Sequence, residues 1–135
     1  METVQTTYLG DLRTKAIHLQ SGSTIFTDAP TDNHGKGESF SPTDLFAASY
    51  ASCALTIIGI ATQTYGFNID GAVVKTTKIM AENPRRVAEL KVDFTFPAKN
   101  YSEKEKAIIE NSIKHCPVRN SLSSELKVTR TITYL

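Results

Sequence analysis

The sequence predicts an α+β protein whose elements follow the order βββ-α-ββ-α-β. Two observations predict this class. Short runs of alternating apolar and polar residues indicate six strands, and two segments with helical spacing, each beginning at a capping signal, lie between those runs. With 135 residues, of which 40% are hydrophobic, we expect one domain over 1–135 with a modest core.

The first three strands are predicted to form a β-meander. They cover Thr3–Leu9, Arg13–Gln20 and Ser23–Thr27, and the short Gly-containing connections between them are typical of hairpins. A segment rich in Pro, Asn, Asp and Gly follows from 28 to 40 and has no periodicity, so it is interpreted as a loop. His34 within it is interpreted as a solvated side chain, because no motif recruits it as a ligand or base.

The longest apolar segment is predicted to be a central helix over Ser41–Tyr65. Ser41 and Asp44 make a capping box around Pro42, and Gly66 ends the helix. The apolar residues leave no continuous polar stripe, so we expect burial on nearly every side. A membrane span is disfavoured, because the apolar run is shorter than the ~20 residues that a span needs and contains serine and threonine.

A second helix is expected to pack against this segment. One small domain cannot surround a helix that is apolar around its circumference, and small residues allow close approach of a partner helix. The small residues are Ala47, Ala48, Ala51 and Ala54. The partner helix can come from a second copy of the chain, so we expect a homodimer.

The second half of the chain is predicted to contain a hairpin, a helix and a last strand, over Ile69–Met80 with Val87–Phe96, Ser102–Pro117 and Lys127–Tyr134. The second strand of the hairpin slips in phase near Ala88. Arg85 and Arg86 lie in the connection and are interpreted as solvated turn charges, since neighbouring residues of a strand point to opposite faces. The helix is amphipathic and places Cys116 at its C-terminal end.

Charge and N-terminal sequence limit the partners and the compartment. Lys and Arg number 15 against 14 Asp and Glu, the net charge is +1, and like charges do not cluster. We therefore expect binding to neither nucleic acid nor membranes. Residues 1–9 lack the basic and then apolar pattern of a signal peptide, which predicts a cytoplasmic protein.

The chain has two cysteines, Cys53 and Cys116, which lie 63 positions apart. This spacing excludes a C-x-x-C redox motif, and two thiols are too few for a structural zinc site. Neither His18 nor His115 completes a Cys/His metal site, so we expect no metal and no cofactor. A thiol peroxidase needs one thiolate that attacks peroxide and a second thiol that condenses with the sulfenic acid. Alternatively, Cys53 is only a small buried apolar residue.

Several stretches of the chain resemble the OsmC/Ohr family of organic hydroperoxide reductases. They are the helix start SPTDLFAASYASC, with Pro42 eleven positions before Cys53, the PRR of the hairpin, and CPVRNSL from Cys116 to Leu122. The LR at Leu12-Arg13 and the SG and TDAP between Ser21 and Pro30 also look like the OsmC-like branch.

This resemblance implies an OsmC-like fold in an intertwined homodimer, with the central helices at the interface and N-terminal strands exchanged between subunits. It also implies that Cys53 is the peroxidatic thiolate, that Cys116 resolves it as an intrachain disulfide, and that Arg13 is the cation beside the thiolate. The alternative interpretation of Arg13 is a solvated charge after a turn. The hydroperoxide reductases carry a glutamate directly after the helix-opening proline, where it holds the arginine, whereas this chain has Thr43 there.

Two functions follow as hypotheses. The first is a thiol peroxidase that reduces organic hydroperoxides, regenerated by a thiol reductant that the sequence does not identify, with an antioxidant role. The second is a non-enzymatic dimeric module that binds a small apolar ligand at the interface, with structural cysteines.

Overall fold

The structure is a computed structural model that describes all residues from 1 to 135. Its strands are β1 (Val4–Gly10), β2 (Arg13–His18), β3 (Thr24–Asp28), β4 (Val73–Ala81), β5 (Arg86–Phe96) and β6 (Lys127–Tyr134). Its α-helices are α1 (Pro42–Thr64), α2 (Glu103–Ser112) and α3 (Pro117–Asn120), and single 3-10 turns cover Thr31–Asn33 and Ile113–His115. This order confirms the α+β class.

The chain divides into two compact units, Met1–Phe46 and Ala47–Leu135. The expectation of a single domain over 1–135 stays a prediction. The first unit contains an antiparallel sheet in the order β1-β2-β3. Most of its side chains are accessible, including every residue of β1 before Gly10. The predicted meander is therefore confirmed, and its three strands leave much of their surface uncovered.

The second unit contains a sheet in the order β4-β5-β6. Strands β4 and β5 are antiparallel, and β6 runs parallel to β5. Ile79 pairs with Glu89 and Met80 with Val87, so Ala88 is an extra residue in β5. This bulge is the predicted slip in phase, since one extra residue changes which face the following side chains occupy. The predicted start of β4 at Ile69 is wrong, because residues 69–72 form a turn with Gly71 at φ 90°.

The core of the second unit combines one face of β5 with aromatic rings. Four alternating side chains of β5 are at most 1% exposed: Leu90, Val92, Phe94 and Phe96. The Phe96 ring stacks on Tyr134 with centroids 5.4 Å apart, and it meets Tyr101 edge-on at 6.5 Å. Strand alternation thus gives the sheet one buried face.

Helix α1 begins as the sequence predicts. The amide of Asp44 donates to Ser41 Oγ at 3.0 Å, and the amide of Ser41 donates to Asp44 Oδ2 at 2.9 Å, which confirms the capping box. Its buried residues recur every three or four positions and so form one face: Ala47, Tyr50, Ala54, Ile58 and Thr62. Burial on nearly every side is therefore not found within one chain, because other positions such as Ile60 stay exposed.

At 23 residues, α1 is long and apolar enough to cross a membrane by length and composition. The expectation that the apolar run is too short is wrong, because the helix continues through its serine and threonine residues. Core helices of soluble proteins satisfy the same criteria, so one such helix is weak evidence for a span.

Helix α2 ends earlier than predicted. Its capping box is confirmed, with Ser102 Oγ accepting from the amide of Glu105 at 3.1 Å. The α-helix stops at Ser112, and Cys116 has extended backbone angles of φ −67° and ψ 116°. The ring of a proline disfavours helical backbone angles for the residue before it. Pro117 therefore prevents the helix from continuing through Cys116. The 3-10 turn Ile113–His115 continues directly from α2, and Cys116 is both the C-cap of that turn and the N-cap of α3.

Candidate functional site

The second unit brings the two cysteines together. Cys53 lies in the middle of α1 and is half-buried, whereas Cys116 precedes α3 and is 0% exposed. Both are free thiols, and Cys53 is close enough to Cys116 to raise the pKa of the Cys116 thiol. The structure thus places one accessible thiol beside one that is shielded from solvent.

The surroundings of Cys116 favour its protonated form. Burial is the largest effect that raises the pKa of this thiol, and the neighbouring Cys53 raises the pKa further. The amide of Arg119 donates to Cys116 Sγ at 3.4 Å and, with the amide of Val118, partly opposes that rise. As expected, Cys116 lies at the C-terminal end of a helical segment, as the C-cap of the 3-10 turn Ile113–His115, and it is also the N-cap of α3. A thiolate is disfavoured here, and the main cause is burial.

Tyr50 lies one helical turn before Cys53 on the same side of α1 and is 1% exposed. Burial is the main cause that raises the pKa of its phenol. Negative charge on Cys116 and Cys53 acts in the same direction, while the positive charges of Arg119 and Arg130 lower the pKa. The Tyr50 ring is therefore near both thiols and both arginines.

A cavity of about 210 Å³ opens beside this tyrosine. It is lined by Tyr50, Ile113, Lys114, Arg119, Val128 and Arg130. Three of these side chains are cations and none is a carboxylate. Sequence reasoning placed Tyr50 and Arg119 in the motif stretches but gave them no role, and it missed Arg130. The only local indication for Arg130 is its place in an alternating strand.

Arg13 belongs to the first unit, where two carboxylates hold it. Its Nε donates to Asp28 Oδ1 at 2.7 Å, and its Nη2 donates to Asp28 Oδ2 and to Glu38 Oε2, each at 2.9 Å. The hydrogen bonds from Arg13 are the main cause that holds the pKa of Asp28 below its usual value, against the opposing effect of burial. Arg13 is therefore held by the carboxylates of Asp28 and Glu38. The position after the helix-opening proline, where the hydroperoxide reductases have a glutamate, is Thr43 in this chain. The role of Arg13 beside Cys53 stays a prediction.

The histidines take no part in these clusters. His18 Nδ1 is paired with Ser21 Oγ at 2.6 Å. No group of three or more His, Cys, Asp or Glu side chains is placed to hold a metal ion in the 135 residues. The site therefore consists of two thiols, one phenol and nearby cations.

Comparison with known proteins identifies the family of the chain. The family model described as OsmC-like protein matches residues 35–131 of the chain, a range that includes both cysteines and the whole cavity. The chain belongs to the OsmC family. The predicted resemblance is therefore confirmed.

Solved OsmC-like structures share the fold over nearly their whole length. A candidate osmotic stress induced and detoxification response protein from Psychrobacter arcticus is 47% identical, with a TM-score of 0.90 over 100% of this chain and 96% of that chain. An OsmC like protein from Mycoplasma pneumoniae is 22% identical, with a TM-score of 0.82 over 98% and 95%. An organic hydroperoxide resistance protein OsmC from Legionella pneumophila is 17% identical, with a TM-score of 0.72 over 98% of both chains. A comparison with curated protein sequences gives no match.

Proposed function

We propose that this OsmC-family chain is a cysteine-based peroxidase that reduces small organic hydroperoxides. The observation that carries the proposal is the proximity of two free thiols that differ in exposure, half-buried Cys53 and fully buried Cys116. The name of the Legionella relative, an organic hydroperoxide resistance protein, supports the same class of substrate.

The chemistry needs one attacking and one resolving sulfur. The Cys53 thiolate attacks the terminal oxygen of the hydroperoxide, the O–O bond breaks, and the alkoxide takes a proton and leaves as an alcohol. Cys116 then loses its proton and attacks the sulfur of the Cys53 sulfenic acid, which releases water and forms an intrachain disulfide. An external dithiol supplies the two electrons that restore both thiols.

The proposed roles follow from the surroundings of the two sulfurs. A peroxide must reach the attacking sulfur, and Cys53 is the more accessible of the two. Cys116 is 0% exposed and its pKa is raised, mainly by burial, so it is a poor thiolate before the reaction. Its proximity to Cys53 suits it to condense with a sulfenic acid formed there.

Arg13 is proposed as the cation that favours the Cys53 thiolate, on the strength of the family resemblance. Replacing it with Met should slow oxidation of Cys53 at pH 7 by about tenfold for each 1.4 kcal/mol of lost transition-state stabilisation. Lys15→Met removes a cation from the same strand and is the matched control. An unchanged rate in Arg13→Met would overturn this assignment but not the roles of the cysteines.

The peroxidase is tested by treating the reduced protein with one equivalent of cumene hydroperoxide and measuring the intact mass. We expect loss of two hydrogens per chain, as a disulfide requires. In Cys116→Ser, oxidation should stop at a sulfenic acid on Cys53 that dimedone traps. In Cys53→Ser, Cys116 should remain a thiol at the same dose.

Retention of both thiols in the wild type would overturn the peroxidase proposal. It would favour the alternative hypothesis, a non-enzymatic dimeric module that binds a small apolar ligand. Oxidation of Cys116 before Cys53 would show instead that the two roles are reversed.

A further inference from the structure

The cavity beside Tyr50 carries an excess of positive charge. Lys114, Arg119 and Arg130 line it, no acidic side chain does, and none of the three cations makes an ion pair within the chain. Cations that converge without a carboxylate repel one another, and an anion placed among them relieves that repulsion. The cavity therefore suits an anionic group.

The phenol of Tyr50 provides an independent indication of a ligand. Tyr50 is 1% exposed, yet its hydroxyl makes no hydrogen bond in the chain. The Tyr50 hydroxyl oxygen keeps some accessible surface. Thr76 Oγ1 is the only side-chain oxygen or nitrogen that is both inaccessible and without a hydrogen-bond partner. Buried tyrosine hydroxyls ordinarily have a partner. An acceptor in the cavity would supply the one that Tyr50 lacks.

We propose that Lys114, Arg119, Arg130 and the Tyr50 hydroxyl form a subsite for the carboxylate of an organic hydroperoxide, so that the chain favours carboxylate-bearing peroxides over neutral ones. This inference rests on the proposed peroxidase function and names its substrate class. Arginine suits the role, because its planar guanidinium can donate two parallel hydrogen bonds to a carboxylate.

The position of the cavity relative to the thiols fits a substrate that carries both groups. Tyr50 lines the cavity and lies one helical turn from Cys53 on the same side of α1. A volume of about 210 Å³ accommodates a carboxylate and a short methylene chain, since one water takes about 30 Å³ in the liquid. Neither thiol lines the cavity, so a substrate whose carboxylate binds the cations must extend past Tyr50 for its peroxide group to reach Cys53.

Binding is tested first with hexanoate, an inert carboxylate, and with hexanol of the same chain length, by calorimetry on the reduced protein. We expect hexanoate to bind more tightly than hexanol and to weaken as salt is added. Arg119→Gln and Arg130→Gln should each weaken hexanoate binding about tenfold. Tyr50→Phe should weaken it less. Lys91→Gln removes an exposed β5 cation outside the cavity, is the charge-matched control and should bind as the wild type.

Turnover is tested with 6-hydroperoxyhexanoate and its methyl ester. The wild type should prefer the acid, and the ratio of the two kcat/KM values should fall towards one in Arg119→Gln and Arg130→Gln but not in Lys91→Gln. Circular dichroism verifies the fold of each variant, and Arg119→Lys should retain part of the preference. Equal affinity for hexanoate and hexanol, or wild-type hexanoate binding in both arginine variants, would overturn the subsite. Hexanoate binding without any peroxide reduction would support the subsite and overturn the peroxidase.

Discussion

At the scale of single residues, the two cysteines differ because their surroundings differ. Cys53 is half-buried in a long helix, far enough from either terminus that the helix dipole has little effect on its thiol. Cys116 is enclosed, and burial raises the pKa of its thiol. The two thiols therefore differ in access: Cys53 is partly accessible to solvent, whereas Cys116 is shielded.

The raised pKa of Cys116 predicts a pH dependence of stability. The folded chain holds the Cys116 proton more tightly than the unfolded chain, whose thiol has a pKa of about 8.5. As the pH rises past that value the unfolded chain loses the proton first, so the free energy of unfolding falls. This contribution is fully present below about pH 8.5 and is lost as the pH approaches the higher folded pKa.

Urea unfolding of the reduced protein at constant protein concentration, from about pH 7.5 to about pH 9.5, measures this dependence. The fall should be smaller in Cys116→Ser. It should largely remain in Cys53→Ser, because burial is a larger cause of the shift than the neighbouring thiol. The same pH profile in Cys116→Ser and the wild type would contradict the prediction.

The two carboxylates around Arg13 should differ in their effect on stability. Asp28 is 1% exposed, whereas the Glu38 side chain is 63% exposed. Removing the charge of a buried partner leaves Arg13 without its main acceptor, whereas water screens the exposed pair. Asp28→Asn should therefore lower Tm clearly more than Glu38→Gln. Equal shifts in thermal unfolding at pH 7 would show that Asp28 has no special role.

At the scale of elements, α1 combines one covered face with apolar positions that the chain leaves accessible. Ile58 is 0% exposed and Ile60, two positions later, is 58% exposed. Two residues correspond to about 200° of rotation, so the two isoleucines point in nearly opposite directions. They form a matched pair for separating core packing from other roles of the helix.

Ile58→Ala should lower the free energy of unfolding by about 2–5 kcal/mol, because it leaves a cavity in the core. Ile60→Ala leaves no internal cavity, so its effect should appear as weaker self-association and not as lost core packing. Chemical denaturation measures the first effect, and sedimentation at several protein concentrations measures the second. If Ile60→Ala lowered the free energy of unfolding strongly and by the same amount at every protein concentration, Ile60 would have a core-packing role and the prediction would be contradicted.

At the scale of the whole molecule, the accessible apolar surface predicts an obligate dimer. Exposed large apolar side chains occur in both compact units. They include Ile25 and Phe26 on β3, Ile60 within α1 and Tyr65 directly after it. Three uncovered strands and a half-covered helix leave more apolar surface than a small monomer usually exposes. Light scattering should give a mass near two chains on dilution. A folded monomer at low micromolar concentration would overturn this prediction.

Much of the secondary structure could be predicted from the sequence, because its causes are local. The capping boxes at Ser41 and Ser102 involve residues three positions apart, and alternation marks most strands. The extra residue at Ala88 was visible as a break in that alternation. The end of the helical segment at Cys116, beside Pro117, was also predicted, but the change from α-helix to a 3-10 turn after Ser112 was missed because the apolar spacing continues through it.

The site depended on contacts between distant residues. The sequence by itself determined the family motifs, the two thiols and the helix that carries Cys53. Only the tertiary structure decided that Cys116 meets Cys53, that Asp28 and Glu38 hold Arg13, and that Arg130 joins Arg119 beside Tyr50. The parallel pairing of β6 with β5 was likewise decided only by the tertiary structure. Such contacts join residues far apart in the chain, and they arise from the packing of whole elements, which local periodicity and capping do not encode.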